Sequence, residues 1–285
     1  MEKRKISTQA VAEAVRGACI KANSALPPDV LAALKSALER EYSPSGREIL
    51  GQLLENARLA AESGLPLCQD TGLAICFAEL GQDAVIDRGP QNLSLYEAIN
   101  LGVRQGYADG HLRQSVCDPF TRANSGDNTP AVIHSSIVPG DRLKITLLAK
   151  GGGSENMSRV TMLTPATGWK GIKKFTLERM AEAGGNPCPP VIIGLGIGGS
   201  FESAPLLAKK ALLLPLDQPN TDPGLAAREA ELLEAVNRLG IGPMGLGGGA
   251  TALGVRILAA PCHIASLPLA VNIQCHSARH QEIEL

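Results

Sequence analysis

Seven cysteines are the residues of this 285-residue chain best suited to unusual chemistry. An odd number in what reads as a reducing compartment argues against a disulfide framework. They therefore divide among buried thiols, metal ligands and reactive groups. Cys19 falls within an amphipathic pattern and Cys76 inside an apolar run, and both read as small buried hydrophobes. Cys117 and Cys262 have no distinguishing context. Cys68, Cys188 and Cys275 share one: turn-forming neighbours beside a regular element. They stand in Leu65-Pro66-Leu67-Cys68-Gln69-Asp70-Thr71-Gly72, Asn186-Pro187-Cys188-Pro189-Pro190 and Asn272-Ile273-Gln274-Cys275-His276-Ser277. A thiolate that ligates iron needs backbone free of helix pairing and N–H groups close to its charge. The wide separations match no zinc-finger or ferredoxin spacing, so spacing alone leaves three unrelated thiols open beside a shared cluster.

A second pattern invites a different chemistry. Val191-Ile192-Ile193 followed by Gly194, Gly196 and Gly199 spells a dinucleotide fingerprint between a strand and a helix, with Asp217 where a ribose-binding acid would sit. The unit stands alone, however, and Pro215 and Pro219 make the Asp217 segment a loop rather than a central strand. Glycine clusters also recur at 151–153 and 245–249. A tight strand-to-helix turn is the plainer reading, with an NAD-dependent oxidoreductase as the alternative.

Several elements must position these residues. Residues 8–24, 29–41 and 45–64 read as helices, the last stopping at Gly64 with Pro66 beyond. Ser94 and Glu97 form a capping box for a helix that Gly110 closes. Residues 131–138 and 142–149 are β-rich and joined by Pro139-Gly140-Asp141, which predicts a hairpin. A strand over 191–195, helices over 201–213 and 222–239, and strands over 255–259 and 267–273 follow. The fold class is mixed α/β (α+β): a helical N-terminal part, 1–110, then small β-sheets flanked by helices over 111–285, within a single domain 1–285. Loops hold any cluster, and a soft seam falls near 110–130.

Composition narrows the partners. The net charge of −1 and 3% aromatic residues give no footprint for nucleic acid. No stretch approaches the roughly 20 apolar residues of a membrane span, and the basic start is not followed by a signal-like segment. A cytoplasmic protein is expected, with no membrane partner.

Six segments in order resemble the class I fumarate hydratases and the related tartrate dehydratases, over about Ser43 to His280. They are Pro66–Gly72, His111-Leu112-Arg113, Asn124–Pro130, Lys150–Asn156, Cys188-Pro189-Pro190, and Ile241–Leu246 leading through His263 to Cys275. The resemblance implies a [4Fe–4S] cluster on Cys68, Cys188 and Cys275 with one open iron site acting as a Lewis acid. It implies a small dicarboxylate substrate touched by Gln69, Asp70, Arg113, Gly153 and His263, with Asp70 and His263 catalytic and Asp70 the proton donor to the departing hydroxyl. Arg113 suits a bidentate carboxylate pair, and glycine at 153 lets backbone N–H groups approach an anion. Plainer roles stand beside these: a surface ion pair for Arg113, a turn cap for Asp70, a structural role for His263. Single-chain family members carry a further C-terminal domain with more cationic clamps and a base. The chain's end at Leu285 thus implies an alpha subunit that needs a separate beta subunit, in a heterodimer or higher heteromer. The expected reaction interconverts fumarate and (S)-malate, with tartrate or methylfumarate (mesaconate) as alternatives. A non-catalytic iron–sulfur scaffold is a further rival.

Overall fold

A computed structural model describes residues 3–285. In chain order the elements are β1 (Arg4–Ser7), α1 (Thr8–Ser24), α2 (Pro28–Arg40), α3 (Pro44–Ser63), β2 (Leu73–Gly81), β3 (Ala84–Asp87) and α4 (Leu95–Asp109). After a long loop come β4 (Val132–Val138), β5 (Leu143–Lys150), the single turn α5 (Gly152–Glu155), β6 (Arg159–Leu163) and α6 (Gly168–Ala183). The remainder is β7 (Val191–Gly198), α7 (Ser203–Ala211), α8 (Pro223–Asn237), β8 (Ala252–Ala260), β9 (Leu267–Gln274) and β10 (His280–Glu284). The fold is α+β. The chain sorts into two compact units. One comprises residues up to Pro27, Asn56–Gly152 and Arg279–Leu285; the other comprises Pro28–Glu55 and Gly153–Ala278.

In the first unit, Ser7 caps α1 by accepting the Gln9 and Ala10 N–H groups. Spacing along α1 buries Val11, Val15, Ala18, Cys19 and Ala22 on one face. That face meets α4 closely, because a Cβ on Gly102 would lie 2.5 Å from Ala12 O and one on Gly106 2.7 Å from Cys19 Cβ. The Ser94–Glu97 capping box starts α4 as expected. Beneath the helices lies a four-stranded sheet ordered β10-β5-β2-β4.

The stretch up to residue 110 is mainly helical, as expected, but it also contains β1, β2 and β3, and β2 is a central strand. Its apolar run, Leu73–Gly81, has no alternation because both faces are covered, so it carries no period-2 signal. With β2 unmarked, one expectation fails: β4 and β5 do not form a hairpin. β2 lies between them, parallel to β4 and antiparallel to β5. The end of β2 enters the Pro139–Asp141 turn, with the Gly81 N–H on Arg142 O at 2.7 Å and the Gln82 N–H on Val138 O at 2.8 Å. Only glycine fits at 81, where a Cβ would lie 2.4 Å from Gly140 O.

The second unit is built on a sheet ordered β6-β9-β7-β8. β7 and β8 are parallel and linked through α7 and α8, whereas β9 runs antiparallel to β7 and β6. Asp222 caps α8 by accepting the Gly224 and Leu225 N–H groups, with Pro223 in the first turn. Val191, Ile193, Leu195, Leu232, Val236, Ile257, Val271 and Ile273 make its core. Within it, Glu229 and Arg256 pair at 3.0 Å with side chains 7% and 8% exposed.

Candidate active site

The loop joining α3 to β2 carries Cys68, Gln69 and Asp70, and every side of it is tied down. The Leu67 N–H donates to Asn23 O at 2.8 Å, and Asn56 Nδ2 donates to Leu67 O at 2.9 Å. Tyr107 Oη donates to Thr71 O at 2.8 Å and to Gly72 O at 3.0 Å, while Asn128 Nδ2 reaches Gly72 O at 3.2 Å. Thr71 Oγ1 donates to Arg113 O at 2.5 Å. These bonds draw the 66–72, 111–113 and 124–130 segments into one cluster within the first unit. Asn128 completes it by accepting the Ser115 and Val116 N–H groups on Oδ1.

Asp70 faces the glycine loop after β5. Its Oδ1 accepts the Gly72 N–H at 3.1 Å, and Oδ2 accepts the Gly152 N–H at 2.8 Å. The first bond is the turn-capping role; the second is one that turn capping does not require. Gln69 is exposed beside it. The Arg113 guanidinium is exposed and makes no ion pair among the described residues, so the surface-pair role has no partner. The Asp70 N–H lies 3.4 Å from Cys68 Sγ.

In the second unit Cys188 and Cys275 come together. His276 follows Cys275, and its N–H and ring Nδ1 lie 3.4 Å and 3.0 Å from Cys188 O. The Met244 N–H donates to Pro189 O at 2.8 Å, bringing in the 241–246 segment. Cys275 Sγ receives Gln274 Nε2 at 3.5 Å. Glu41 anchors the adjoining glycine loop, with Oε1 on the Gly249 N–H and Oε2 on the Ala250 N–H. Burial works to raise the Glu41 carboxyl pKa, but the N–H donors of Gly249, Ser43 and Ala250 hold it below the usual range. His111, Asn128, Cys188 and Met244 all adopt positive φ without being glycine, and each lies in one of the matched segments. Such backbone costs on the order of 1 kcal/mol or more per residue and concentrates where a site over-determines it.

His263 lies elsewhere. It follows β8, whereas Cys188 precedes β7 and Cys275 follows β9. Strand directions therefore put it at the opposite end of this sheet from the two cysteines. The eight residues of β9 separate the ends by about 25 Å. Its Nδ1 accepts the Ala265 N–H at 3.1 Å on an exposed loop. Gly153 begins the second unit's share of the glycine loop, and a Cβ there would meet Asn186 O at 3.8 Å, an ordinary contact.

Two of the other four cysteines are accounted for without chemistry. Cys19 and Cys76 sit in the core of the first unit, and burial pushes the Cys76 thiol up to about 12 and Cys19 well above the ordinary value. Gly194 and Gly196 serve packing: a Cβ would lie 2.2 Å from Ala208 O and 1.9 Å from Ala204 O of α7. Asp217 lies in a turn, not at a strand end. Among the described residues, no group of three or more His, Cys, Asp or Glu side chains has the spacing of ligands to a single metal ion. A cubane differs from that case, because each cysteine holds a separate iron.

The chain matches the fumarate hydratase (Fumerase) family over residues 12–284. It belongs to that family. Among its relatives is a Methanocaldococcus jannaschii protein named "Putative L(+)-tartrate dehydratase subunit alpha", 44% identical over 259 residues, which are 89% of this chain and 90% of the relative. The L(+)-tartrate dehydratase subunit alpha of Escherichia coli strain K12 is 33% identical over 258 residues, 89% of this chain and 84% of the relative. The Shigella sonnei protein of the same name matches to the same extent. Family membership places the chain among the hydro-lyases. Among the described residues, no helix is long and apolar enough to cross a membrane.

Sequence reading missed the residues that support the site rather than form it. Tyr107 and Asn23 lie in ordinary amphipathic helices, and Arg279 lies in the short irregular segment before β10. Asn128 was inside a matched segment, and its burial is the signal that sets it apart.

Proposed function

We propose that this chain is the alpha subunit of an L(+)-tartrate dehydratase, with a [4Fe–4S] cluster on Cys68, Cys188 and Cys275 and a beta subunit completing the site. The observation that carries the substrate is that relatives at 33–44% identity, aligned over nearly the whole chain, bear the tartrate name. This reverses the expected order, which put fumarate first. Two features fit the cluster chemically. Cys68 Sγ and Cys275 Sγ each have an N–H donor within 3.5 Å, the kind of surroundings that orient a metal-bound sulfur. Ser277 Oγ is also buried without a partner two residues after Cys275.

When bound, such a cluster supplies an open Lewis-acidic iron for a carboxylate and hydroxyl. The chain's own residues do the rest. Arg113 pairs a substrate carboxylate through two parallel N–H groups. Gln69 adds an exposed amide, and the N–H groups around Gly153 offer an approach that no Cβ obstructs. Asp70, seated on the Gly72 and Gly152 N–H groups, hands a proton to the departing hydroxyl. His263 stands too far from Cys188 and Cys275 along the second unit's sheet to join this set within one chain. The base that removes the proton beside the carboxylate is assigned to the beta subunit.

The test is anaerobic coexpression with the cognate beta subunit and parallel assays of L(+)-tartrate dehydration and fumarate hydration. Tartrate turnover at least tenfold above fumarate is expected, with Cys188→Ser lowering bound iron and sulfide. A preference for fumarate would restore the other order, and an enzyme inert toward both would overturn the proposal.

A further inference from the structure

Arg279 is only 1% exposed, a guanidinium inside the first unit. Buried cations are ordinarily neutralised by a carboxylate. Arg279 makes no ion pair among the described residues. Its Nη1 donates instead to Asn23 Oδ1 at 3.1 Å and to the main-chain oxygen of Asp70 at 2.5 Å, and its Nε is buried without a partner. Asn23 is itself completely buried, its Nδ2 on Cys19 O at 2.9 Å, and its carbonyl takes the Leu67 N–H. Arg279 and Asn23 thus grip the loop at Leu67 and Asp70, on either side of Cys68 and Gln69. Beyond that grip, the Asp70 carboxylate rests on the Gly72 and Gly152 N–H groups. The two side chains converge over Gly151, where a Cβ would lie 3.0 Å from Asp70 Oδ2 and 3.3 Å from Arg279 Nη2.

An arginine that only filled space would be bettered by an apolar side chain of similar volume, since an unpaired buried charge is costly. Its Nη1 does what such a residue cannot: the N–H groups of that one nitrogen hold two oxygens, on α1 and on the site loop, in the fixed plane of the guanidinium. We propose that Arg279 is a positioning residue of the active site, acting through the Asp70 backbone to keep the Asp70 carboxylate seated on Gly72 and Gly152. The proposal rests on the hydro-lyase reading for its effect on turnover, but not for its effect on the loop. It involves geometry alone and no change of protonation.

Arg279→Lys and Arg279→Met in the anaerobically assembled alpha–beta enzyme test this. Lysine keeps the charge but replaces the planar, directionally fixed Nη1 with a freely rotating ammonium. Iron and sulfide content should stay at the parent level. Turnover should fall at least about tenfold in Arg279→Lys and further in Arg279→Met, with KM within about threefold, as expected for a misplaced reacting group. The Gly72 and Gly152 amides should exchange with solvent about tenfold faster while the amides of β2 stay protected. Parent-level exchange at Gly72 and Gly152 in Arg279→Lys would overturn the proposal. So would a joint, proportionate loss of iron, turnover and β2 protection, which marks general loosening. Should Arg279→Met fail to fold, Arg279→Lys alone decides. Should the parent enzyme turn over neither tartrate nor fumarate, the functional reading fails and the exchange comparison still judges the positioning role.

Discussion

Two glycine-rich passages from strand to helix, 150–153 after β5 and 194–199 through β7, look alike in sequence and differ in what surrounds them. At Gly194 and Gly196 the missing side chains are already spent, because carbonyls of α7 occupy the space. At Gly152 and Gly153 the nearest atoms to a Cβ lie 3.9 Å and 3.8 Å away, ordinary contact distances, and at Gly151 they are the Asp70 carboxylate and the Arg279 guanidinium. The first passage uses glycine to bring two elements together. The second uses it to bring a carboxylate onto a main-chain N–H group. A fingerprint that counts glycines cannot separate the two uses; the surroundings can.

The comparison can be broken by substitution. The largest effect is expected for Gly196→Ala, where the added carbon falls 1.9 Å from Ala204 O and α7 must lift off β7. A loss of about 3 kcal/mol or more, read by denaturant unfolding, follows from overpacking against backbone. Gly151→Ala should show the opposite pattern. Its nearest obstacle is the Asp70 side chain, so stability should drop by less than about 1.5 kcal/mol while turnover falls roughly tenfold or more. Gly153→Ala should be milder still, raising KM a few-fold with unchanged melting, because nothing on the chain resists the carbon. Equal destabilisation by all three would erase the distinction. The smallest effect concerns Asp127, beside Asn128. The Thr129 hydroxyl first, then the Arg104 guanidinium and the Thr129 N–H, outweigh burial and hold its carboxyl at about 2. A depressed folded value means its contribution is complete above about pH 4 and lost as pH falls toward 2. Asp127→Asn should therefore melt below the parent at pH 7, with the gap closing near pH 2.

Much of this arrangement was legible in the sequence, and the failures have identifiable causes. The helices over 8–24, 29–41 and 222–239 were marked by one-sided periodicity and by caps such as Asp222. The loops carrying Cys68 and Cys188 were marked by proline and glycine. β2 was hidden because a strand covered on both faces has no alternation, and with β2 hidden, β4 and β5 looked like partners. His263 was ranked by its place between matched segments, but sequence order says nothing about which end of a sheet a loop occupies. Arg279 left no trace, since an arginine in a short irregular segment reads as a surface charge. The supporting residues Asn23 and Tyr107 escaped for a similar reason: their work is done through main-chain oxygens, which every residue possesses.

The pairing of β10 with β5 has a consequence for how the molecule assembles. The two strands are separated in sequence by residues 153–278, which belong to the second unit. Closing so long a loop as random coil would be slow, since contacts between distant residues delay folding. Within that insertion, however, β6 near its start pairs antiparallel with β9 near its end, Arg159 opposite Val271. Once that ladder forms, the effective loop shrinks to the few residues outside it. The inserted unit thereby acts as an entropic clasp, and weakening the β6–β9 ladder should slow completion of a sheet to which neither strand belongs.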